Sequence, residues 1–261
     1  SQPQGIVLSP DGTKAYVANQ SIIGIGSVSV INTATNTVAA TITVGYQPQG
    51  LAISPDGSRV YVANVNSNNI SVINTTTNTV STTIGVGTQP ICVGISPDGS
   101  KLFVPNFGNN NVSVINTATN TVATNVAVGT NPDGATVSPD GTKVYITNQT
   151  SNNFSVLNTA TNAVTATVAV GTRPQGISFT SDGTKAYIAN SGSNNVSVID
   201  AITNTVLSTV TVGAVPFSLG NFVTSSNGCS GTPTTFTITV NPKPAAPLAS
   251  VTTQPSCSVT T

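Results

Sequence analysis

Short apolar runs alternate with short polar breaks along the chain, and the alternation itself recurs. Within residues 47–87, Leu51-Ala52-Ile53 is followed by Pro55-Asp56-Gly57-Ser58, and Val60-Tyr61-Val62-Ala63 by a polar loop at 65–69. Ile70-Ser71-Val72-Ile73 then ends in a polar turn at 74–78, and the run 79–84 ends at Gly85 and Gly87. Proline presets φ for the second position of a turn and glycine accepts positive φ, so these breaks read as chain reversals. Four β-rich runs joined by tight reversals predict an antiparallel meander of four strands. No run carries a 3.6-residue apolar period over helical length, so no helix is predicted.

The unit repeats. Pro48, Pro90, Pro132, Pro174 and Pro216 stand at steps of 42 residues, and Pro3 precedes Pro48 by 45, the excess falling in a longer loop at 20–27. A fixed period near 40 marks solenoids and propellers. Most runs hold adjacent apolar residues, such as Ile6-Val7-Leu8, rather than strict alternation. That suits strands covered on both faces, as in sheets stacked radially around an axis. A parallel β-helix is the competing fold, but its coils are usually shorter and lack a hairpin turn in every copy. The fold class is therefore all-β, a β-propeller of four-stranded antiparallel blades. Proline in strand-like Phe103-Val104-Pro105-Asn106 predicts an early strand end there, because proline donates nothing to a ladder.

Five repeats are complete, at 1–45, 46–87, 88–129, 130–171 and 172–213. A partial sixth occupies 214–240, with a hairpin signal at Asn227-Gly228 and an alternating strand at 234–240. The expectation is a six-bladed ring with an incomplete last blade over residues 1–240; five blades with the tail outside, or a piece of a seven-bladed ring, are the alternatives. Residues 241–261 read as a proline-rich linker and an extended tail, with a weaker strand at 248–253.

Composition narrows the chemistry. Charged residues make up 5% of the 261, and the formal net charge is zero. Nucleic acid needs clustered Lys and Arg, so it is excluded as a partner, as is electrostatic docking to a membrane. No apolar run approaches the roughly 18 residues of a membrane span. His, Met, Trp and Glu are absent. No catalytic group, cofactor or metal site is expected. Ser1 starts in phase with the repeat, so the sequence reads as a mature or excised segment. Of three cysteines, Cys92 follows an apolar residue at a strand start and is expected as a buried free thiol. Cys229 and Cys257 flank the tail and are the pair expected to form a disulfide in an oxidising setting.

Several motifs recur in fixed order: Ser9-Pro10-Asp11-Gly12 with Tyr16-Val17-Ala18-Asn19, and later Tyr61-Val62-Ala63-Asn64, Tyr145-Ile146-Thr147-Asn148 and Tyr187-Ile188-Ala189-Asn190. Over residues 1–213 the chain resembles the YVTN-type β-propeller repeat of surface-layer and secreted proteins in archaea and bacteria. The resemblance implies a propeller in a cell-surface or extracellular setting, and implies no activity. From Cys229 onward the sequence resembles the joints between modules of large secreted adhesin-like proteins.

Candidate positions follow from the repeat. Asp11/Lys14, Asp56/Arg59, Asp98/Lys101, Asp140/Lys143 and Asp182/Lys185 place a cation three residues after each turn aspartate, which is expected to cap its own turn. Tyr16, Tyr61, Phe103, Tyr145 and Tyr187 recur once per blade and are expected to pack between sheets. Asn19, Asn64, Asn106, Asn148 and Asn190 end the same strands, where they are expected to cap turns. Gln4, Gln49, Ile91, Asp133, Gln175 and Phe217 hold equivalent places at the start of each first strand, a candidate ligand surface at the channel mouth. Sequons at Asn19, Asn69, Asn74, Asn111, Asn148, Asn153 and Asn195 are candidate glycosylation sites.

The leading expectation is a non-catalytic extracellular structural or adhesive module. It self-assembles into a surface filament or layer, as a homo-oligomer or polymer formed by strand addition from the C-terminal segment. The alternative is a glycan- or peptide-binding propeller module of a larger secreted adhesin, with a surface glycan as partner.

Overall fold

In the computed structural model, residues 2–21 and 24–218 are described. They form five four-stranded antiparallel sheets, each following chain order from its first strand to its fourth. The first blade comprises β1 (Gln2–Leu8), β2 (Lys14–Gln20), β3 (Ile25–Asn32) and β4 (Thr37–Tyr46). The second holds β5 (Pro48–Ile53), β6 (Arg59–Asn64), β7 (Asn69–Asn74) and β8 (Thr79–Gly85). The third is built from β9 (Gly94–Ile95), β10 (Lys101–Asn106), β11 (Asn111–Asn116) and β12 (Thr121–Ala127). The fourth contains β13 (Pro132–Val137), β14 (Lys143–Asn148), β15 (Asn153–Asn158) and β16 (Ala163–Ala169), and the fifth β17 (Pro174–Phe179), β18 (Lys185–Asn190), β19 (Asn195–Asp200) and β20 (Thr205–Thr211). The only helical turn among the described residues is a 3-10 turn at Val65–Ser67, and none of their helices is long and apolar enough to cross a membrane. The predicted fold class, a β-propeller of four-stranded blades, is the one observed. The predicted sixth blade falls on residues that lie largely outside those described.

Each turn explains its own sequence. Gly57 has φ of 72°, a region closed to most side chains. The Asp56 carboxylate accepts hydrogen bonds from the Ser58 amide at 3.0 Å and from the Ser54 and Ser58 hydroxyls. Those donors favour the ionised form and hold the Asp56 carboxyl down at about 2. Asp11, Asp98, Asp140 and Asp182 repeat the arrangement.

The core lies between blades rather than within them. Tyr16, Val28, Val30 and Ile42 of the first blade pack on Val60, Val62 and Ile73 of the second. Tyr61, Ile70 and Val72 then pack on Leu102, Val104 and Ile115. Phe103, Val112 and Val114 meet Val144, Ile146 and Leu157. Tyr145 and Phe154 meet Ile177, Phe179 and Ile188, with ring centroids 4.8 Å apart for Tyr145–Phe154 and 4.7 Å for Tyr145–Phe179. A forward face on one sheet thus meets a backward face on the next, four times over. The rows need apolar residues on both sides of a strand, which is why the runs are continuous.

Proline does not shorten the third blade's second strand as expected. β10 runs through Pro105, and its pairing with β11, including Pro105↔Val112, is intact. The loss appears one strand over: β9 keeps only Gly94–Ile95, where each other first strand has six or seven residues. The missing N–H is thus felt on the β9 side of the ladder.

Candidate binding surface: the channel and the open joint

The five first strands line a cavity of about 520 Å3. Its wall is largely apolar, from Leu51, Ile53, Val93, Val137 and Ile177, with Asp133 and Thr136 among its polar members. Of the six mouth positions read from the sequence, only Asp133 lies on this wall. Gln4, Gln49 and Ile91 are half-buried, Gln175 is buried and Phe217 is 56% exposed. Gln4 Nε2 donates to Gln20 Oε1 at 2.9 Å. The first strands break register just after their opening residues, between Pro3 and Ile6, Pro48 and Leu51, Pro132 and Ala135, and Pro174 and Ile177. The same break stands behind Asp133, so it does not by itself separate that residue from the other mouth positions.

Asp133 is buried, and its Oδ2 accepts a hydrogen bond from Gln149 Nε2 at 3.2 Å. Burial raises its carboxyl to about 7, an effect that the nearby Arg173 charge only partly offsets. In the next blade Gln175 Oε1 is buried and accepts no hydrogen bond. Thr147, which sequence reasoning passed over, joins these two blades. Its Oγ1 accepts from the Gly134 amide at 2.8 Å and donates to the Gln175 carbonyl at 2.6 Å. Cys92 is a free, half-buried cysteine on the same wall, with its thiol 4.0 Å from the Ala135 carbonyl and pushed by burial up to about 11. The expected partners Cys229 and Cys257 lie outside the described residues.

The recurrent asparagines do not cap their turns. Asn64 Nδ2 donates across the strand pair to Ser71 Oγ and Asn69 Oδ1, both at 2.8 Å, and Asn106, Asn148 and Asn190 repeat this bridge. Asn148 is fully buried with its Nδ2 so engaged, which leaves no space for a glycan there. Asn19 is half-buried, its Nδ2 turned to Ser29 Oγ. Asn69, Asn111, Asn153 and Asn195 are half-buried, and each accepts one of these bridging bonds through Oδ1. Asn74 caps its turn by accepting from the Thr76 and Thr77 amides.

The second candidate surface is an open joint. In the first blade Ile6 is 62%, Leu8 57% and Val38 59% exposed. Ile6 and Leu8 are the counterparts of Leu51 and Ile53, which pack on the blade before them. In the fifth blade Tyr187 and Val196 are half-buried and Val210 is 49% exposed. Their counterparts Tyr61 and Ile70 are fully buried. Among the described residues, a backward face and a forward face are therefore both left uncovered, at opposite ends of the series. The channel cavity opens toward this joint, since Ile6, Leu8 and Ser218 all lie on its wall.

No curated protein matches the chain. The solved structure of Kuenenia stuttgartiensis hydrazine synthase is similar, with a TM-score of 0.52 at 21% identity, covering 82% of this chain and 88% of that one. At that identity the likeness shows the fold alone, and it supports a β-propeller. Residues 2–176, more than half the chain, match the choice-of-anchor I domain. An anchor domain points to a cell-surface or secreted setting. On that match the chain belongs to the choice-of-anchor I domain family.

Proposed function

We propose that this chain is a non-catalytic structural and adhesive module of the cell surface that assembles with copies of itself through its C-terminal segment. The observation that carries the reading is the open joint, whose two apolar faces call for a last sheet that the 24-residue stretch 217–240 is too short to supply in full. The partial sixth repeat read from the sequence at 214–240 would leave that sheet short of strands, with unpaired backbone groups that accept an added one. The strand read from the sequence at 248–253, beyond the proline-rich stretch 241–247, is the segment this reading assigns to another copy. Tail and edge are different surfaces, so the contact is head-to-tail and grows into filaments or sheets. Near-zero charge removes the repulsion that would oppose stacking. The non-catalytic part of the reading is supported by the match to an anchor domain.

Deleting residues 241–261 tests the assembly. Sedimentation and negative-stain images should show large species for the full chain and monomers for the deletion. Filaments that persist after deletion, or a full chain that stays monomeric at high concentration, would refute it.

A second reading places a glycan or peptide in the channel, favoured by the buried, sparsely bonded Asp133 and Gln175. Binding on a glycan array that is abolished by Asp133→Ala, in a protein that remains monomeric, would favour it over assembly.

A further inference from the structure

We infer that the open joint is the docking site of this chain's own residues 217–240, which continue the series of sheets as a sixth blade. This goes beyond the assembly reading and holds whether or not copies associate.

The chain leaves the fifth blade as it leaves each of the three before it. The Val215 amide donates to Asn194 Oδ1 at 2.9 Å, as Arg173 does to Asn152, Asn131 to Asn110 and Gln89 to Asn68, at 2.9–3.0 Å. Val215 has φ of 53°, matching 54° at Arg173 and 54° at Asn131. A β-branched residue does not choose that region on local grounds, so the crossover geometry is imposed from outside. Pro216 is buried, as Pro48, Pro90, Pro132 and Pro174 are.

The following residues enter the joint itself. The Ser218 backbone lies against Gly176, so close that a Cβ on the glycine would stand 2.5 Å from the Ser218 carbonyl oxygen. Gln49 lies in the same way over Gly5 and Gln175 over Gly134, at 2.4 Å and 2.3 Å. These are the contacts by which one blade's first strand seats on the blade before it. One 42-residue step then places Leu219 at the position of Ile177 and Ala135, which pack against the preceding sheet. In the inferred blade Leu219 takes that place, on the face of Tyr187 and Val196. The strand read at 234–240 alternates threonine with Phe236, Ile238 and Val240, giving one apolar face to cover Ile6, Leu8 and Val38. A second copy is the poorer occupant, because the place beside Gly176 is already held by Ser218 of the same chain.

Thiol accessibility in the full chain tests this. Leu8→Cys and Val210→Cys place one probe on each wall, and Ile202→Cys, at a site 72% exposed on an outer turn, is the open reference. All three are made with Cys229→Ser and Cys257→Ser, and maleimide labelling is read by peptide mass. Val38→Cys replaces Leu8→Cys if circular dichroism shows that the latter fails to fold. The expectation is labelling at least about tenfold slower at both walls than at the reference, unchanged on dilution. Equal rates at all three sites would overturn the proposal, as would protection of Val210 alone. Protection that fades on dilution would overturn it too, by identifying a second copy as the occupant.

Discussion

Lys143 Nζ donates a hydrogen bond to the Ala201 carbonyl oxygen at 2.9 Å, joining the fourth blade to the fifth across 58 residues of chain. Arg59 reaches Thr117 O at 2.9 Å, Lys14 reaches Thr75 O at 3.1 Å, and Lys101 reaches Thr159 O. Each cation follows a turn aspartate by three residues, yet its hydrogen bond goes to the next blade's third turn. That turn ends a β-hairpin and has carbonyls to spare, while the aspartate is already occupied by its own hydroxyls and amide. A row of ties thus runs around the rim, each a charge-assisted bond to a neutral acceptor.

Removing one tie should cost a modest, measurable amount. Lys143→Ala is expected to lower stability by about 1.5 kcal/mol in urea unfolding, since a part-buried charged hydrogen bond lies near the lower end of its range. Lys185→Ala is the contrast. Lys185 is exposed, and its ammonium reaches no carbonyl among the described residues, so its loss should fall within about 0.5 kcal/mol of zero. Equal losses at the two sites would show that the tie to Ala201 does not contribute.

The aspartate–lysine spacing was plain in the sequence, and the destination of the lysine was not. Turn residues act over four positions and leave a local signature. A partner 58 residues away leaves none, and only the blade geometry brings it near. The same contrast holds elsewhere. The period, the Ser-Pro-Asp-Gly turns and the packing role of Tyr16, Tyr61, Phe103 and Tyr145 were legible because each is a local or periodic property. The bridging role of Asn64 was not, because an asparagine at a strand end can cap or bridge, and Ser71 decides which. Pro105 was legible as a defect, but its effect moved to β9. Most mouth positions miss the channel wall although Asp133, behind the same register break, lies on it, so the repeat's spacing alone did not fix which side chain faces the channel.

Thr147 stands where the first, second and fifth blades have Ala18, Ala63 and Ala189. Its hydroxyl satisfies the Gly134 amide and the Gln175 carbonyl together. Thr147→Val keeps the shape and strips both partners, so it should destabilise by about 1–3 kcal/mol, the cost of buried groups left unpaired. Denaturant titration gives the value. A neutral outcome would mean that the joint near the channel relaxes to find other partners.

Val215 pays for the crossover with its backbone. Left-handed φ costs an ordinary L-residue roughly 1–2 kcal/mol, and asparagine tolerates it better than valine does. Asn131 holds the equivalent place two blades earlier with the same φ. Val215→Asn should therefore raise stability by about 1 kcal/mol. The thermal midpoint should rise by a few degrees, about 2–4 °C for a domain of this size. A fall would show that the exposed valine side chain makes a contact worth more than the strain.

Asp133 sets the last expectation, through its raised pKa. In the unfolded chain its carboxyl titrates near the ordinary 3.8, and in the folded chain burial raises it to about 7. Between those values the unfolded chain gives up a proton that the folded chain keeps. Stability tied to this group is thus fully present below pH 3.8 and is lost as pH rises toward 7, after which the penalty is constant. Asp133→Asn cannot ionise, and its amide can still accept from Gln149. The variant should be more stable than the parent at pH 8, by about 1–3 kcal/mol for a buried charge with a single partner. The difference should shrink through pH 7 to 4 and vanish below. Asp56 sets the opposite slope, because its folded pKa is lowered to about 2. Asp56→Asn should lose stability above pH 4 and match the parent near pH 2. Urea titrations of the three proteins at pH 2, 4, 6 and 8 separate the two slopes. An Asp133→Asn difference that did not change between pH 4 and pH 8 would show that the carboxylate is solvated, with the channel wet at that point rather than closed around it.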